Sequence, residues 1–258
     1  MQTSSIISEN REYWSGRASG YSEVNQAELS GAQRLRWRSL LSEQITSHFP
    51  GKAPKELQVL EVGTGPGFFA ILLSELGYAV TAIDLTPAML EEARKNAGPM
   101  AGRIRWMEMN AESLAFPDAA FDVVLSRNLT WNLPNPELAY AEWMRVLRPG
   151  GLLLNFDANW YGYLFNADAQ AAYEQDRRNS AQQGIKDENI GENFDIMEDI
   201  ARRIPLSNTS RPAWDLCVLS RLGLQVQADV QIWENVWSDE EKLNFSSTPL
   251  FMVSAEKS

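Results

Sequence analysis

The sequence predicts an α/β protein: a doubly wound sheet of seven strands, mostly parallel with an antiparallel last strand, and covered by helices on both faces. Three observations carry this. Short apolar runs alternate with helical patterns from residue 57 to residue 156, and such alternation builds parallel βαβ units. A glycine turn, Gly63-Thr64-Gly65-Pro66-Gly67, follows the first apolar run and opens a helix, an arrangement that leaves backbone amides free to meet a ligand. After Asp157 the alternation stops, and it resumes only at Pro212.

Residues 1–21 are polar with embedded aromatics, Tyr13, Trp14 and Tyr21. A helix follows, its apolar face running Trp37, Leu41, Ile45 and His48 at three- and four-residue steps, and Pro50 with Gly51 stops it. The first strand spans 57–62, the helix after the glycine turn 68–76, and the second strand 79–83, which ends at Asp84. Thr86 is placed to cap the next helix with Pro87 in its first turn, and Gly98-Pro99 ends it. Strands are expected at 104–109 and 121–125. Asn135 and Pro136 then open a helix that stops at Arg148-Pro149-Gly150-Gly151, before a fifth strand at 152–156. Residues 158–211, rich in Asn, Gln and Asp, hold helix-like patches at 167–183 and 194–203 and predict an insertion above the sheet, long enough to be a lid. A helix at 212–222 precedes a strand in which Val226, Ala228, Val230 and Ile232 alternate with polar residues, as suits an antiparallel edge. A last strand is expected at 250–255. The organisation is therefore an N-terminal lid segment and helix (1–50), a binding core (51–158), a helical insertion (159–211) and the rest of the same sheet (212–258).

With 258 residues, 44% of them hydrophobic, the chain can bury a full core. Its net charge of -11 and pI of about 4.7 argue against a nucleic-acid partner, since phosphate binding draws on clustered Lys and Arg. The longest apolar runs, such as 68–73, are too short to span a bilayer, so no membrane partner and a cytoplasmic location are expected. Cys217, the single cysteine, excludes an internal disulfide and sits in an apolar stretch where a small buried side chain is expected. The acidic stretch 187–199 suits a solvated face. Nothing in the chain sets an oligomeric state.

The glycine turn calls for a nucleotide-like ligand. The dinucleotide fingerprint needs its third glycine where Phe68 stands, yet Asp84, placed to accept both ribose hydroxyls, would serve a nicotinamide dinucleotide as well as S-adenosylmethionine. On spacing alone both remain open. His48 lies at the sheet edge opposite the strand C-termini where ligands bind, so packing against its helix's last carbonyls is expected of it rather than proton transfer.

The series V-L-E-V-G-T-G-P-G, A-I-D-L-T-P-A-M-L, N-A-E-S-L-A-F-P-D-A-A-F-D-V-V and R-V-L-R-P-G-G resembles the successive motifs of the class I S-adenosylmethionine-dependent methyltransferases, especially their small-molecule type 11 group, over residues 57–158. The resemblance implies a Rossmann-like sheet and S-adenosylmethionine as cofactor, leaving as S-adenosylhomocysteine, with no metal. It places Glu61, Gly63 and Gly65, with Thr64 and Gly67 of the same turn, at the methionine end, Asp84 on the ribose, Leu85 over the adenine, and Asn110 with Ala111 at its edge. Asn110 departs from the family's frequent Asp, but an amide can still accept and donate. By the same similarity Trp14, Arg17 and Tyr21 fold over the cofactor, Arg17 meeting its carboxylate, and Arg127 borders it.

The methyl group is already electrophilic in that cofactor, so the protein's task is to hold an acceptor in line with it. The acceptor pocket is expected where the fourth and fifth strands end, around Trp131, Asn159, Trp160 and Tyr161. Asn128 and Asp157 are the candidate catalytic groups, Asp157 as anchor or proton acceptor. The amino-methylating Asn-Pro-Pro-Tyr type signature is missing, Ser126-Arg127-Asn128-Leu129 standing in its place, which together with the acidity favours a small-molecule acceptor. A nicotinamide oxidoreductase and a catalytically silent S-adenosylmethionine-binding partner protein are the alternatives.

Overall fold

The computed structural model describes residues 2–185 and 194–258. Its strands are β1 (Gln58–Val62), β2 (Ala79–Asp84), β3 (Arg105–Glu108), β4 (Phe121–Arg127), β5 (Leu147–Asp157), β6 (Leu224–Asp229) and β7 (Phe251–Lys257). They form one sheet in the order β3-β2-β1-β4-β5-β7-β6. Val59 of β1 is paired in parallel with Val80 on one side and Val123 on the other. Only β7 runs backward, antiparallel to β5 and to the edge strand β6. The Rossmann-like sheet with a reversed last strand is thus as expected. Strand order reverses between β1 and β4, and the C-terminal ends of those two strands open a crevice at this switch point.

The helices are α1 (Gln2–Ser30), α2 (Ala32–His48), α3 (Phe68–Glu75), α4 (Pro87–Ala97), α5 (Pro136–Val146), α6 (Ala167–Gln182), α7 (Phe194–Ala201), α8 (Ala213–Arg221), α9 (Trp233–Val236) and α10 (Asp239–Asn244). Trp37 of α2, Phe69 of α3 and Phe156 of β5 pack edge to face, with centroids 5.0 to 5.5 Å apart, under one face of the sheet. Tyr140 and Trp143 of α5 with Leu219 of α8 fill the other. The insertion is anchored rather than free: Ser180 of α6 donates to Asn244 of α10 at 2.8 Å, and Arg203 after α7 pairs with Glu9 of α1. Among the described residues, no helix is long and apolar enough to cross a membrane.

Several expectations need correction. The N-terminal polar segment, to which the sequence assigned no element, is one continuous helix, α1. β6 ends at Asp229, so Val230 is exposed and Ile232 packs in the core ahead of α9. β5 starts at Leu147, and a register shift between Phe121 and Val123 absorbs the Pro-Gly-Gly stretch. Thr86 and Asn135 precede their helices without capping them through the side chain. Cys217 is exposed on α8, because Asp215, Val218 and Leu219 turn inward instead. His48 Nε2 lies 2.9 Å from the Gly150 carbonyl rather than meeting its own helix. Of the acidic stretch, residues 187–193 lie outside the described residues, Asp195 and Asp199 are exposed, and Glu198 instead accepts from the Tyr163 hydroxyl.

Candidate active site

The glycine turn is built by backbone geometry. Gly63 and Thr64 both donate to the Ile83 carbonyl at 2.9 Å, which folds the end of β1 onto β2. Gly63 has φ +70°, and a Cβ there would stand 2.6 Å from a Leu129 methyl carbon. Gly65, at φ +52°, donates its amide to Asp84 Oδ2 at 2.8 Å, and only Tyr21 lies near its absent Cβ. Asp84 Oδ1 takes the Thr86 amide, also at 2.8 Å, so one carboxylate ties the glycine turn to the start of α4. Burial raises the Asp84 pKa, while its bonds from Thr86 and Gly65 pull it down.

Around these groups opens a cleft of about 1020 Å³, its open mouth included. Glu61, Thr64, Leu85, Asn110 and Ala111 line it, and Trp14 and Tyr21 of α1 close it from above. Glu61 is buried, accepts from Thr64 Oγ1 at 2.6 Å, and is pushed by burial up to about 8. The Asn110 Oδ1 atom already accepts from the Glu112 amide at 2.9 Å, leaving its NH₂ group as the freer end.

A second cavity of about 1200 Å³ adjoins the first and is walled by rings, among them Trp14, Trp37, Trp131, Trp160, Tyr161 and Phe245. The two share Trp14, Tyr21, Arg127 and Asn128. Arg127 pairs with Glu28 at 2.5 Å and lies over the Phe68 ring, 4.8 Å from its centroid. Burial lowers its pKa, but Glu28 and its other acidic neighbours outweigh that and raise it. Asn128 holds φ +55°, uncommon for a residue other than glycine, and its backbone amide donates to the Phe156 carbonyl at 2.8 Å. Its buried Oδ1 has no hydrogen-bond partner, and neither has the buried Nη1 of Arg127.

The family of methyltransferase domains matches residues 60–155, the segment that supplies most of the first cleft below α1. This segment is similar to the methyltransferase domains of that family. A demethylmenaquinone methyltransferase of Thermus thermophilus is 38% identical over 128 residues, 49% of this chain and 56% of that protein. A ubiquinone/menaquinone biosynthesis C-methyltransferase of Roseobacter denitrificans is 34% identical over 164 residues, 62% of each. The chain thus spans little more than half the length of these relatives. A SAM dependent methyltransferase from Aquifex aeolicus shares the fold, with a TM-score of 0.54 and 18% identity over 89% of this chain and 95% of that one.

Four expected site residues stand away from the first cleft. Gly67 is absent from the cleft lining; it caps α3 at φ +91°, and a Cβ there would meet Ala93 at 3.0 Å, so close packing of α3 on α4 requires it. Arg17 lines the ring-walled cavity, not the first cleft. Asp157 lines neither cavity: its Oδ2 accepts from the Trp131 amide at 2.8 Å and from Arg211 at 2.6 Å, its Oδ1 from the Ala158 amide at 3.0 Å, and its side chain is wholly buried. Asn159 is also outside both and donates to the Arg211 carbonyl at 3.1 Å. Sequence reasoning missed Glu28, Trp237, Glu241 and Phe245 of the second cavity. A signal for Glu241 was present: Ser238 and Glu241 form a reciprocal capping box at 3.1 and 2.7 Å, the S-x-x-E pattern that starts α10.

Proposed function

We propose that the chain is an S-adenosylmethionine-dependent methyltransferase that moves a methyl group to a small planar acceptor held in the ring-walled cavity. The observation that carries the reading is the junction of the two cavities at Trp14, Tyr21, Arg127 and Asn128, where a cofactor in the cleft would face an acceptor beyond it. The cleft fits the cofactor by its unspent groups. Asn10 Oδ1, Asn128 Oδ1 and Asn132 Oδ1 on its walls are buried and unpartnered, and buried polar atoms of this kind are ordinarily satisfied. Its acidic floor of Glu61 and Asp84 suits a cationic ligand.

When bound, the cofactor supplies an electrophilic methyl group. Asp84, already fixed by two backbone amides, is positioned to accept the ribose hydroxyls; Leu85 would cover the adenine, with Asn110 and Ala111 at its edge. Glu61, Gly63, Thr64 and Gly65 would border the methionine end. Trp14 and Tyr21 would exclude water from above. No described carboxylate in the ring-walled cavity stands free to act as a base, since Glu28 holds Arg127 and Glu241 holds the Gln33 amide and the Ser238 backbone. Positioning therefore carries the reaction in this reading. The relatives named for quinone methylation act on planar rings, and ring faces are good partners for such acceptors. The test is calorimetry: S-adenosylhomocysteine should bind and raise the melting temperature, while NADH should do neither. The reverse preference would return the chain to the oxidoreductases.

A further inference from the structure

The ring-walled cavity has four charged groups on its wall, Arg17, Glu28, Arg127 and Glu241. Three of them are engaged by the protein. Arg127 and Glu28 neutralise one another at 2.5 Å. Glu241 accepts from Gln33 Nε2 at 2.5 Å and from the Ser238 amide at 2.7 Å. Arg17 is different: it is half-buried, and no described residue makes a hydrogen bond or ion pair with it. It stands one helical turn from Tyr13. Tyr13 and Tyr161 line the same cavity as Arg17; burial pushes both phenols up, and the positive charge of Arg17 pulls each the other way. On the same cavity wall Trp131 and Tyr161 overlap as an offset pair, planes 30° apart and centroids 5.0 Å apart, which presents a ring face to the cavity.

We infer that the cavity selects a planar aromatic acceptor bearing a carboxylate, its ring against Trp131 and Tyr161 and its carboxylate on Arg17. This rests on the reading of the cavity as the acceptor site. A guanidinium matches a carboxylate in shape and charge, and a cavity that leaves one cation unspent while engaging its own anions favours an anion over an amine.

The experiment uses the full chain saturated with S-adenosylhomocysteine and three probes of one ring: 2-naphthoate, 2-naphthamide and 2-naphthylmethylamine. By calorimetry the acid should bind at least about tenfold more tightly than the amide, the scale of one charge-assisted hydrogen bond, and the amine most weakly. Arg17→Gln should erase the preference for the acid while leaving the affinities for the amide and for S-adenosylhomocysteine unchanged, and Arg17→Lys should restore part of it. Tighter binding of the amine, no binding of any probe, or a preference that survives Arg17→Gln overturns the inference. So does a loss of S-adenosylhomocysteine affinity in Arg17→Gln, which would return Arg17 to the cofactor's carboxylate. Failure of S-adenosylhomocysteine to bind the wild-type chain sinks the underlying reading instead.

Discussion

Arg211 is the group whose removal the structure predicts most sharply. Its side chain is fully buried between two fully buried carboxylates, donating to Asp157 at 2.6 Å and to Asp215 at 2.7 and 2.9 Å. Tyr140 adds a 2.5 Å bond to Asp215, and Asn155 donates to that hydroxyl at 2.8 Å. Arg211→Met keeps much of the volume and leaves two carboxylates facing each other without a cation. Breaking one buried pair costs about 3–5 kcal/mol, and we expect a loss of that size at neutral pH. The pH dependence has a definite sign. Burial already holds Asp157 above the usual carboxylate range, with Arg211 pulling it down, so without Arg211 it should climb further. A carboxyl with a raised folded pKa adds stability below its unfolded pKa, and that stability is lost as pH rises through the folded value. The deficit of the variant should therefore be largest at neutral pH and shrink on acidification toward pH about 4. Urea unfolding followed by tryptophan fluorescence at several pH values measures it. A deficit below about 1 kcal/mol, the scale of exposed pairs, or one that grows on acidification, would refute the argument.

Asp157→Asn should cost far less stability, because Arg211 keeps Asp215 and the cluster becomes neutral. Its turnover, once an acceptor is in hand, should fall by much less than the roughly 10²–10⁴-fold contributed by a general base. Asp84→Ala should weaken S-adenosylhomocysteine binding at least about tenfold by calorimetry, since charge-assisted bonds contribute about 1.5–3 kcal/mol each. Gly63→Ala should destabilise the fold by about 1–3 kcal/mol through overpacking against Leu129 and strain at φ +70°, and Leu129→Ala in the same chain should recover part of the loss, as thermal melts would show. Glu61, raised by burial to about 8, stabilises the ligand-free fold below its unfolded pKa and ceases to do so as pH rises through about 8. Wild type should then lose stability relative to Glu61→Gln across that window, and parallel pH profiles would count against it.

The core of the fold was legible because its strands are buried on both faces and carry unbroken apolar runs, as in Val123-Val124-Leu125, and because the turns between them carry glycine and proline where the backbone needs them. The helix α1 was not, for a physical reason. Ile6, Asn10, Ala18, Ser22, Asn25 and Glu28 are buried at helical steps, but four of the six are polar. Of those buried polar groups, Asn10 bonds to the Asn132 carbonyl, Ser22 to Asn96 and Glu28 to Arg127, all on other elements, so burial keeps the helical period while hydrophobicity loses it.

Asp157 shows the opposite limit. Its place at the end of a strand beside the crevice made it a candidate, but successive residues of a strand point to opposite faces, and position along the chain does not say which of them meets the opening. Asn128, just past the neighbouring strand β4 and left-handed in its backbone, lines both cavities, while Asp157 turns into the seam between the sheet and Arg211. That seam is closed by a residue 54 positions away in sequence, which no local pattern around Asp157 encodes. A carboxylate in such a seam fixes Trp131, through its backbone amide, against the ring-walled cavity. Asp157 therefore acts on the site by holding its wall in place, and a kinetic effect of Asp157→Asn should appear in KM before kcat.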